Sequence, residues 1–294
     1  MKQQIPGILN YLNWDILHDH ILPYLDLGTL HQLSATCHTF YELVDSHLAY
    51  ATHITITEKI RKSLKERHLQ MLAPKTGNLR NLDLSNMSNA VSNKVLKSFL
   101  NSNCELKILN ISKCSNIGPD GFNIDHGTPS ENENSYPLAK LEVLVANWCR
   151  NIKPQCFVSL AHAPLRAISL AGTWYTNDEA VTDCATFFKD NLECLNIDKC
   201  YKVTDESLNL LVHCSKLRIL KVTSCWRVND GSVRRIVESC KELQQVAMDD
   251  CRSISESCLF DLSEKGILLL EATGERASEK WDKSDNYLRP MFRF

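Results

Sequence analysis

The chain has 294 residues, 44% of them hydrophobic, which is enough for one large globular domain or two modest ones. Its 33 basic and 35 acidic residues give a net charge of −2, so charge gives no reason to expect nucleic acid or an anionic membrane as a partner. The longest apolar runs, such as residues 267–270, are far too short to span a bilayer.

The N-terminal residues lack an apolar stretch of signal-peptide length followed by a small-residue cleavage site. We therefore expect a cytoplasmic protein, with the nucleus as an alternative compartment. The 13 cysteines should then be free thiols. No two of them form a C-x-x-C pair, so no zinc ribbon or thioredoxin motif is predicted, and no metal or other cofactor is expected.

Residues 12–43 have the pattern of three short helical segments, the first of which Asn13 or Asp15 can cap. So small a unit buries too little apolar surface to be stable by itself, and we expect its apolar side chains to pack on a partner protein. Those side chains recur at helical spacing and are Ile16, Leu17, Ile21 and Leu25, then Leu27, Leu30 and Leu33, then Cys37, Phe40 and Leu43.

Residues 53–57 (HITIT) alternate like a strand, and residues 58–72 have the pattern of one helix. Ile54 and Ile56 stand in the places that Leu82 and Leu84 take in the next segment. This pattern predicts that residues 51–78 form a degenerate repeat that caps the first edge of the domain that follows.

From residue 79 onward the chain repeats the pattern L-x-x-L-x-L-x-x-C. A pattern held through seven registers predicts a repeat domain over residues 79–276. The registers begin at Leu79, Leu106, Leu141, Leu165, Leu192, Leu217 and Leu243. The ninth positions hold Met87, Cys114, Cys149, Thr173, Cys200, Cys225 and Cys251.

Each register predicts a short strand whose first, fourth and sixth side chains face the core, while the intervening ones face solvent. A small thiol at the ninth position fits a tight turn where Leu would overpack. Helices should follow, with Thr204, Asn229 and Ser255 as N-caps. The predicted architecture is an α/β solenoid, a horseshoe of parallel inner strands and outer helices.

Two features depart from the pattern. The fourth repeat has Gly172 and Thr173 at the turn, and the bulky Trp174 and Tyr175 follow them. The second repeat carries about nine extra residues, which fall in the polar stretch 123–137 and predict a solvated loop.

Two surfaces of the predicted solenoid are candidates for binding a protein substrate. The first is the concave face, which is expected to be polar with more acidic than basic side chains. The second is the edge just past the strands, where exposed aromatic side chains suit a binding hot spot. The alternatives are a merely solvated face and aromatic side chains that pack on neighbouring loops. The candidate residues are Asn110, Asn147, Asn196, Asp198, Lys221 and Asp249 on the face, and Trp148, Trp174, Tyr201 and Trp226 on the edge.

The C-terminal residues 277–294 are too aromatic for a typical disordered linker. We expect this tail to cover the exposed edge of the last repeat. The alternative is a tail that folds back across the concave face.

Motifs for catalysis are missing from the sequence: there is no Gly-rich phosphate loop, no H-E-x-x-H and no G-x-S-x-G. The repeat pattern places most cysteines in the interior, where a thiol is inert. We therefore expect no enzyme activity and no catalytic residue.

Residues 79–276 resemble the Cys-containing class of leucine-rich repeats found in F-box adaptors, and the N-terminal segment resembles an F-box. Its L-P-x-E opening is here Leu12-Asn13-Trp14-Asp15, and its V-C-[KR]-x-[FW]-x-x-L end is residues 36–43. Asn13, Thr36 and His38 depart from that motif. Residues 46–49 and the closing repeat, residues 255–266, are most similar to the short members of the F-box/leucine-rich-repeat family.

This resemblance implies an all-α F-box at residues 10–50 that binds Skp1, and through Skp1 the cullin–RING core of a ubiquitin ligase. It implies a monomeric substrate receptor within that complex, with no nucleic acid or membrane as partner. A Smurf-type HECT ligase in bone-morphogenetic-protein signalling is a candidate target by the same resemblance. The alternatives are a repeat scaffold that has lost Skp1 binding and, more remotely, a ligase with its own cysteine. The residues that the resemblance assigns to Skp1 are Leu12, Trp14, Ile16, Leu17, Ile21, Leu25, Leu30, Leu33, Cys37, Phe40 and Leu43.

Overall fold

A computed structural model of the chain describes residues 16–124 and 137–270. Its centre is one parallel sheet in which eight short strands follow one another in chain order, β1 to β8. The strands are β1 Asn81–Asp83, β2 Ile108–Asn110, β3 Val143–Val145, β4 Ala167–Ser169, β5 Cys194–Asn196, β6 Ile219–Lys221, β7 Gln245–Ala247 and β8 Leu268–Leu269.

The strands pair in the register that the repeat pattern predicts. The third residue of each register is paired with the third residue of the next, as in Asn81 with Ile108 and Ala167 with Cys194. The middle residue of each strand points into the core, where Leu109 and Leu195 are fully buried. The leucine-rich-repeat solenoid is therefore confirmed over all seven registers. The eighth strand, β8, was not predicted, because Leu268 and Leu269 lie in an unbroken apolar run without the repeat's spacing.

Helices cover the outer side of the sheet, and each repeat contributes one. The short outer helix of the fifth repeat, Asp205–Leu208, continues as a 3₁₀ turn, Asn209–His213. The N-terminal part contains the helices α1 Leu27–Ser34, α2 His38–Tyr50, α3 Glu58–Ser63 and α4 Glu66–Leu72. The outer helices that follow are α5 Asn93–Ser102, α6 Pro119–Phe122, α7 Gln155–Leu160, α8 Asp178–Phe187, α9 Asp205–Leu208, α10 Asp230–Ser239 and α11 Glu256–Glu264.

The predicted N-caps of α9, α10 and α11 are confirmed. The side chain of Asn229, for example, accepts a hydrogen bond from the Gly231 N–H at 2.8 Å. Each N-cap also donates its own N–H to the first residue of the preceding helix: Asn229 to Asp205 at 2.9 Å, and Ser255 to Asp230 at 2.8 Å. These bonds connect the start of one outer helix to the start of the next.

The N-terminal helical unit differs from the prediction in its first segment. Residues Leu17–Ile21 form a π turn and Leu22–Tyr24 a 3₁₀ turn, because Pro23 cannot donate to a continuing α-helix. The second and third predicted helices are present as α1 and α2. The caps predicted at Asn13 and Asp15 lie outside the described residues.

This N-terminal unit is joined to the solenoid. The N–H of Leu27 donates to the carbonyl oxygen of Thr55 at 2.9 Å, next to a bridge between Asp26 and Thr55. Leu22, Leu30 and Val44 belong to the same buried core as the repeats. The solenoid therefore supplies part of the apolar burial that the sequence alone assigned to a partner.

The capping segment at residues 51–78 is less regular than expected. Instead of a strand at 53–57 there are two isolated parallel bridges, from Thr55 to Asp26 and from His53 to Asn81, and the second is in the predicted alignment. The single helix predicted at 58–72 is two helices, α3 and α4, because Leu64 and Lys65 are extended. The break allows Leu64 to pack against the core while Leu69 and Leu72 are buried in it.

The concave face departs from the polar surface that we expected. Its centre is an apolar strip of buried side chains contributed by successive strands, and this strip forms a cluster separate from the main core. Cysteine and aliphatic side chains at the outward strand positions make up this strip. The concave strip consists of Val143, Val145, Ala167, Cys194 and Ile219, with Ile108 packed against it.

No helix within residues 16–124 and 137–270 combines the length and the apolar character that a membrane crossing requires. The predicted loop at 123–137 and the tail at 277–294 fall outside the described residues almost entirely, so both remain predictions.

Candidate functional site

A ladder of hydrogen bonds fixes the turn that follows each strand. From the second register onward, the side chain at the ninth position donates to the backbone carbonyl oxygen at the sixth position of the preceding register. Cys149 donates its thiol to Ile111 at 3.1 Å, and Cys225 donates to Ile197 at 3.2 Å. The recurring cysteine is therefore a donor as well as a small filler.

The residue before each ladder side chain has a left-handed backbone. The φ angles are positive at Lys113 (61°), Trp148 (59°), Gly172 (66°) and Lys199 (59°), and the same holds at Asn86, Ser224 and Asp250. The N–H of each such residue up to Ser224 donates to the next repeat, as from Trp148 to the Ala171 carbonyl oxygen at 2.8 Å. The following residues are thus presented on one edge of the solenoid. We call this edge the rim; its loops are residues 148–153, 172–177, 199–204, 224–229 and 250–255.

Aromatic side chains form a row along the rim. Trp174, Tyr201 and Trp226 hold the same position in three successive repeats, and Arg150 and Arg252 hold it on either side. The three rings are 66%, 45% and 40% exposed. Three of the four predicted edge aromatics therefore hold equivalent places in neighbouring repeats and are accessible to solvent.

Cations lie over these rings. The Arg252 guanidinium is 4.5 Å from the centroid of Trp226, which in turn packs against Tyr201 at 4.7 Å between ring centroids. The Lys202 ammonium is 5.4 Å from the Trp174 centroid and 5.2 Å from that of Tyr175. These distances are within the range of cation–π attraction.

Trp148 occupies a different place on the rim. Its indole lies against Gly172, where an added Cβ atom would be only 2.5 Å from the ring. The Lys199 ammonium is 5.6 Å from the centroid of the same indole. The glycine of the fourth repeat, which departs from the pattern, is therefore required by the packing of Trp148.

The opposite edge of the sheet carries charges of a different kind. Side chains at the second position of five registers alternate in sign and pair along the solenoid. Arg166 contacts Glu193 at 2.7 Å and Glu142 at 3.6 Å. Lys107 extends the series to Glu142 at 3.2 Å, and Arg218 to Glu193 at 3.9 Å. This row of ion pairs was not predicted from the sequence, although the alternating signs are visible when the registers are aligned.

The predicted concave-face residues fall into two groups. Asn147 and Asn196 are buried and hydrogen-bonded, Asn147 accepting from the Ser169 hydroxyl at 2.7 Å. Asn110 and Lys221 are half-buried and Asp249 is exposed. Burial raises the pKa of the Asp198 carboxyl, and the nearby Lys221 ammonium opposes that shift.

The predicted Skp1-binding residues also divide by exposure. Ile16 and Ile21 are 51% and 40% exposed, whereas Leu17 and Leu30 are buried in the chain itself. The half-buried members are Leu25, Leu33, Cys37, Phe40 and Leu43, while Leu12 and Trp14 lie outside the described residues. Tyr24, which sequence reasoning did not select, is 84% exposed beside them.

Burial makes the interior thiols less acidic than an ordinary cysteine. Burial raises the pKa of Cys149 and Cys200 to about 12 and that of Cys114 to about 11. Eleven of the thirteen thiols are buried, and only Cys37 and Cys104 are partly accessible. Within the described residues, no three His, Cys, Asp or Glu side chains are grouped so that they could hold a metal ion.

No family model matches the sequence. Solved structures with a similar course include a chain of the Rad7 and Elc1 complex from yeast, at 13% identity over 90% of this chain and 89% of that one, with a TM-score of 0.34. A chain of the TLR13–ssRNA13 complex is similar at 14% identity over 77% of this chain and 34% of that one, with a TM-score of 0.48. Internalin C2 of Listeria monocytogenes is similar at 18% identity over 69% of this chain and 84% of that one, with a TM-score of 0.40. Because all three TM-scores are below 0.5, the fold assignment stands on the strand register described above.

Proposed function

We propose that this chain is the substrate-recognition subunit of a Skp1–cullin–F-box ubiquitin ligase. In this proposal the N-terminal helical unit binds Skp1, and the repeats hold a protein substrate near the charged E2 enzyme. Tethering makes ubiquitin transfer effectively intramolecular, so the gain comes from effective concentration. The chain itself performs no covalent step and needs no cofactor.

The observation that carries the proposal is the apolar surface of the N-terminal unit. Ile21 and Tyr24 are exposed on the two irregular turns that precede α1, and Ile16, immediately before the first turn, is exposed as well. Leu22, between them, is fully buried and anchors these turns to the core. Exposed apolar side chains next to a buried anchor suit a protein interface, and they lie in the segment that resembles an F-box.

The half-buried residues of the same segment could contribute further apolar surface to a partner interface. Leu25, Leu33 and Leu43 pack against the core while keeping part of their surface in solvent. A docked partner would bury the remainder, which is the usual gain of an apolar interface.

The resemblance also supplies a candidate substrate, a Smurf-type HECT ligase of bone-morphogenetic-protein signalling. Capture of that ligase by the intact protein, compared with a variant altered on the rim, is the direct assay for this part of the proposal.

A repeat scaffold without Skp1 is the second candidate. It is favoured by the burial of Leu17 and Leu30, because these two residues of the F-box-like segment pack in the chain's own core and are not available to a partner. The departures from the motif at Thr36 and His38 lie on exposed positions, where a partner would meet them.

Co-purification with Skp1 separates the two candidates. We expect the wild-type chain to capture Skp1. The double variant Ile16→Asp, Ile21→Asp should no longer capture it, because two carboxylates would be buried unpaired in the interface.

The matched control is Phe260→Asp, which places a charge on an aromatic position of α11 that is 65% exposed and far along the chain. Unchanged thermal unfolding of both proteins shows that the fold is intact. Capture by the double variant at the wild-type level would contradict the Skp1 assignment, and no capture by wild type would favour the scaffold.

A further inference from the structure

We propose that the rim binds an extended, acidic protein segment, with Asp and Glu carboxylates of that segment pairing with the cations that lie over the rim's aromatic rings. This inference rests on the proposed function, since it names the class of substrate that the repeats would hold.

The first argument is charge. The five rim loops contain six Lys or Arg side chains, Arg150, Lys153, Lys199, Lys202, Arg227 and Arg252, and one carboxylate, Asp250. The chain as a whole has a net charge of −2. The rim is therefore a local concentration of positive charge on a slightly acidic protein, and it favours an anionic partner.

The second argument is that the rim cations lack acidic partners. Within the described residues, no ion pair involves Lys153, Lys199, Lys202 or Arg252. The contrast is the opposite edge, where Arg166 and Arg218 both contact Glu193. The same protein therefore neutralises its cations on one edge and leaves them available on the other.

The third argument is that the rim is held in place before any partner arrives. Parallel bridges connect its successive loops, from Asn177 to Lys202, from Thr204 to Arg227 and from Asn229 to Ser253. The thiol and hydroxyl ladder fixes the turn that precedes each loop, as through Cys200 to the Leu170 carbonyl oxygen at 3.3 Å. The ring faces also restrict the cations, so less side-chain entropy is lost on binding.

The geometry favours an extended segment. The row from Arg150 to Arg252 crosses five neighbouring repeats, a distance of roughly 20 Å at the usual spacing between strands. An extended peptide of about six residues spans that length. Carboxylates along it can reach successive cations, while its apolar side chains lie on the exposed surfaces of Trp174 and Trp226.

A single-stranded nucleic acid is the competing anion, and the rim suits it less well. Base stacking needs free aromatic faces. Here Trp226 is packed against Tyr201 and lies under Arg252, and Trp174 lies under Lys202.

The test is binding of a fluorescein-labelled peptide, EDLEEFDE, to the full chain, measured by fluorescence anisotropy. The comparison probes are the amidated analogue QNLQQFNQ, the same acidic peptide with phosphoserine in place of its central glutamates, and a labelled ten-nucleotide thymidine strand. We expect the acidic peptide to bind at least tenfold more tightly than the amidated analogue, and its affinity to fall as salt is raised.

The variant Lys199→Gln, Lys202→Gln should weaken binding of the acidic peptide at least tenfold. The matched control is Lys216→Gln, Lys241→Gln, which removes two exposed cations away from the rim and should change the affinity less than twofold. Absence of binding by wild type, equal weakening by the control, or tighter binding of the thymidine strand or of the phosphopeptide would each overturn the proposal.

Skp1 capture by the same variants separates this inference from the proposed function. We expect Lys199→Gln, Lys202→Gln to capture Skp1 normally. If wild type captures Skp1 but binds no acidic peptide, the inference about the rim fails while the adaptor proposal stands. If wild type binds the peptide but not Skp1, the adaptor proposal fails and the rim remains a peptide site.

Discussion

The hydroxyl of Thr173 donates to the carbonyl oxygen of Ala146 at 3.1 Å, in the place where the other repeats use a thiol. Cys114 makes the equivalent bond to Leu84 at 3.1 Å. In the sequence Thr173 is a departure from the pattern, yet in the structure it keeps the interaction. From the second register onward the ninth position therefore requires a small side chain that can donate a hydrogen bond, and sulfur is one way to meet that requirement.

Thr173→Val tests this requirement, because valine has nearly the shape of threonine and no donor. We expect the free energy of unfolding to fall by about 1–3 kcal/mol, since the buried Ala146 carbonyl oxygen loses a hydrogen bond. The measurement is urea unfolding followed by circular dichroism.

Thr173→Cys is the control for that experiment. It restores the residue that the pattern prefers and should remain within about 1 kcal/mol of wild type, since sulfur is a weaker donor of similar size. A loss equal to that of Thr173→Val would mean that shape, and not the donor, decides what the position accepts.

The sequence predicted the fold well where one repeat position has one physical role. The first, fourth and sixth apolar positions predicted seven of the eight strands, since alternation in a strand separates core from solvent. The sequence predicted the fold less well where the burial of a side chain depends on residues in neighbouring repeats. Cys194 and Val145 stand at intervening strand positions, which the alternation places on the solvent side. Their neighbours across the sheet are also apolar, and together they form a buried strip.

The candidate site shows the same division. The aromatic rim could be predicted from the offsets of Trp174 and Trp226 within their registers. The placement of Lys202 over Trp174 could not, because it depends on how two loops approach each other.

The break between α3 and α4 could not be predicted either, because the sequence has no Gly or Pro there. The packing of Leu64 against the core accounts for it.

Gly172 and Trp148 should be coupled energetically. Gly172→Ala places a Cβ atom against the indole and on a backbone with φ of +66°. We expect a loss of about 2 kcal/mol or more, from left-handed strain of roughly 1–2 kcal/mol together with displacement of the ring. In a Trp148→Ala background the ring is gone, and the same substitution should cost only the backbone strain.

A double-mutant cycle in urea measures this coupling. We expect an interaction energy of about 0.5 kcal/mol or more between the two positions. Lys113 and Lys199 adopt similar backbone angles without glycine, so strain alone is tolerated at this position. An equal cost of Gly172→Ala in both backgrounds would mean that the indole does not dictate the glycine.

Asp198 should make stability depend on pH. Burial raises the pKa of its folded-state carboxyl above the unfolded value of about 3.9. The folded state then binds the proton more tightly, so stability declines as pH rises from the unfolded pKa through the folded one. Above both pKa values the cost of the buried carboxylate is fully present.

Asp198→Asn should therefore raise the melting temperature by a few degrees at pH 7, and the difference should shrink towards pH 3. Its amide oxygen can still accept from the Thr223 N–H, which lies 2.7 Å from the carboxylate in wild type. Asp249 holds the same repeat position but is exposed, so Asp249→Asn is the control and should have little effect at either pH. A stabilisation by Asp198→Asn that persists unchanged at pH 3 would rule out the carboxylate as its cause.

Thiol reactivity distinguishes an adaptor from a ligase with its own cysteine. With Ellman's reagent at pH 8, we expect two thiols per chain to react within minutes, Cys37 and Cys104, which are the two that are partly accessible. The other eleven should react only after denaturant is added, because burial excludes the reagent and, as at Cys149 and Cys200, raises the pKa to about 12, so that almost no thiolate forms. The double variant Cys37→Ser, Cys104→Ser should leave no fast thiol. A fast thiol that remains in that variant would identify an activated cysteine in the repeats, and the proposal of a non-catalytic adaptor would then have to be abandoned.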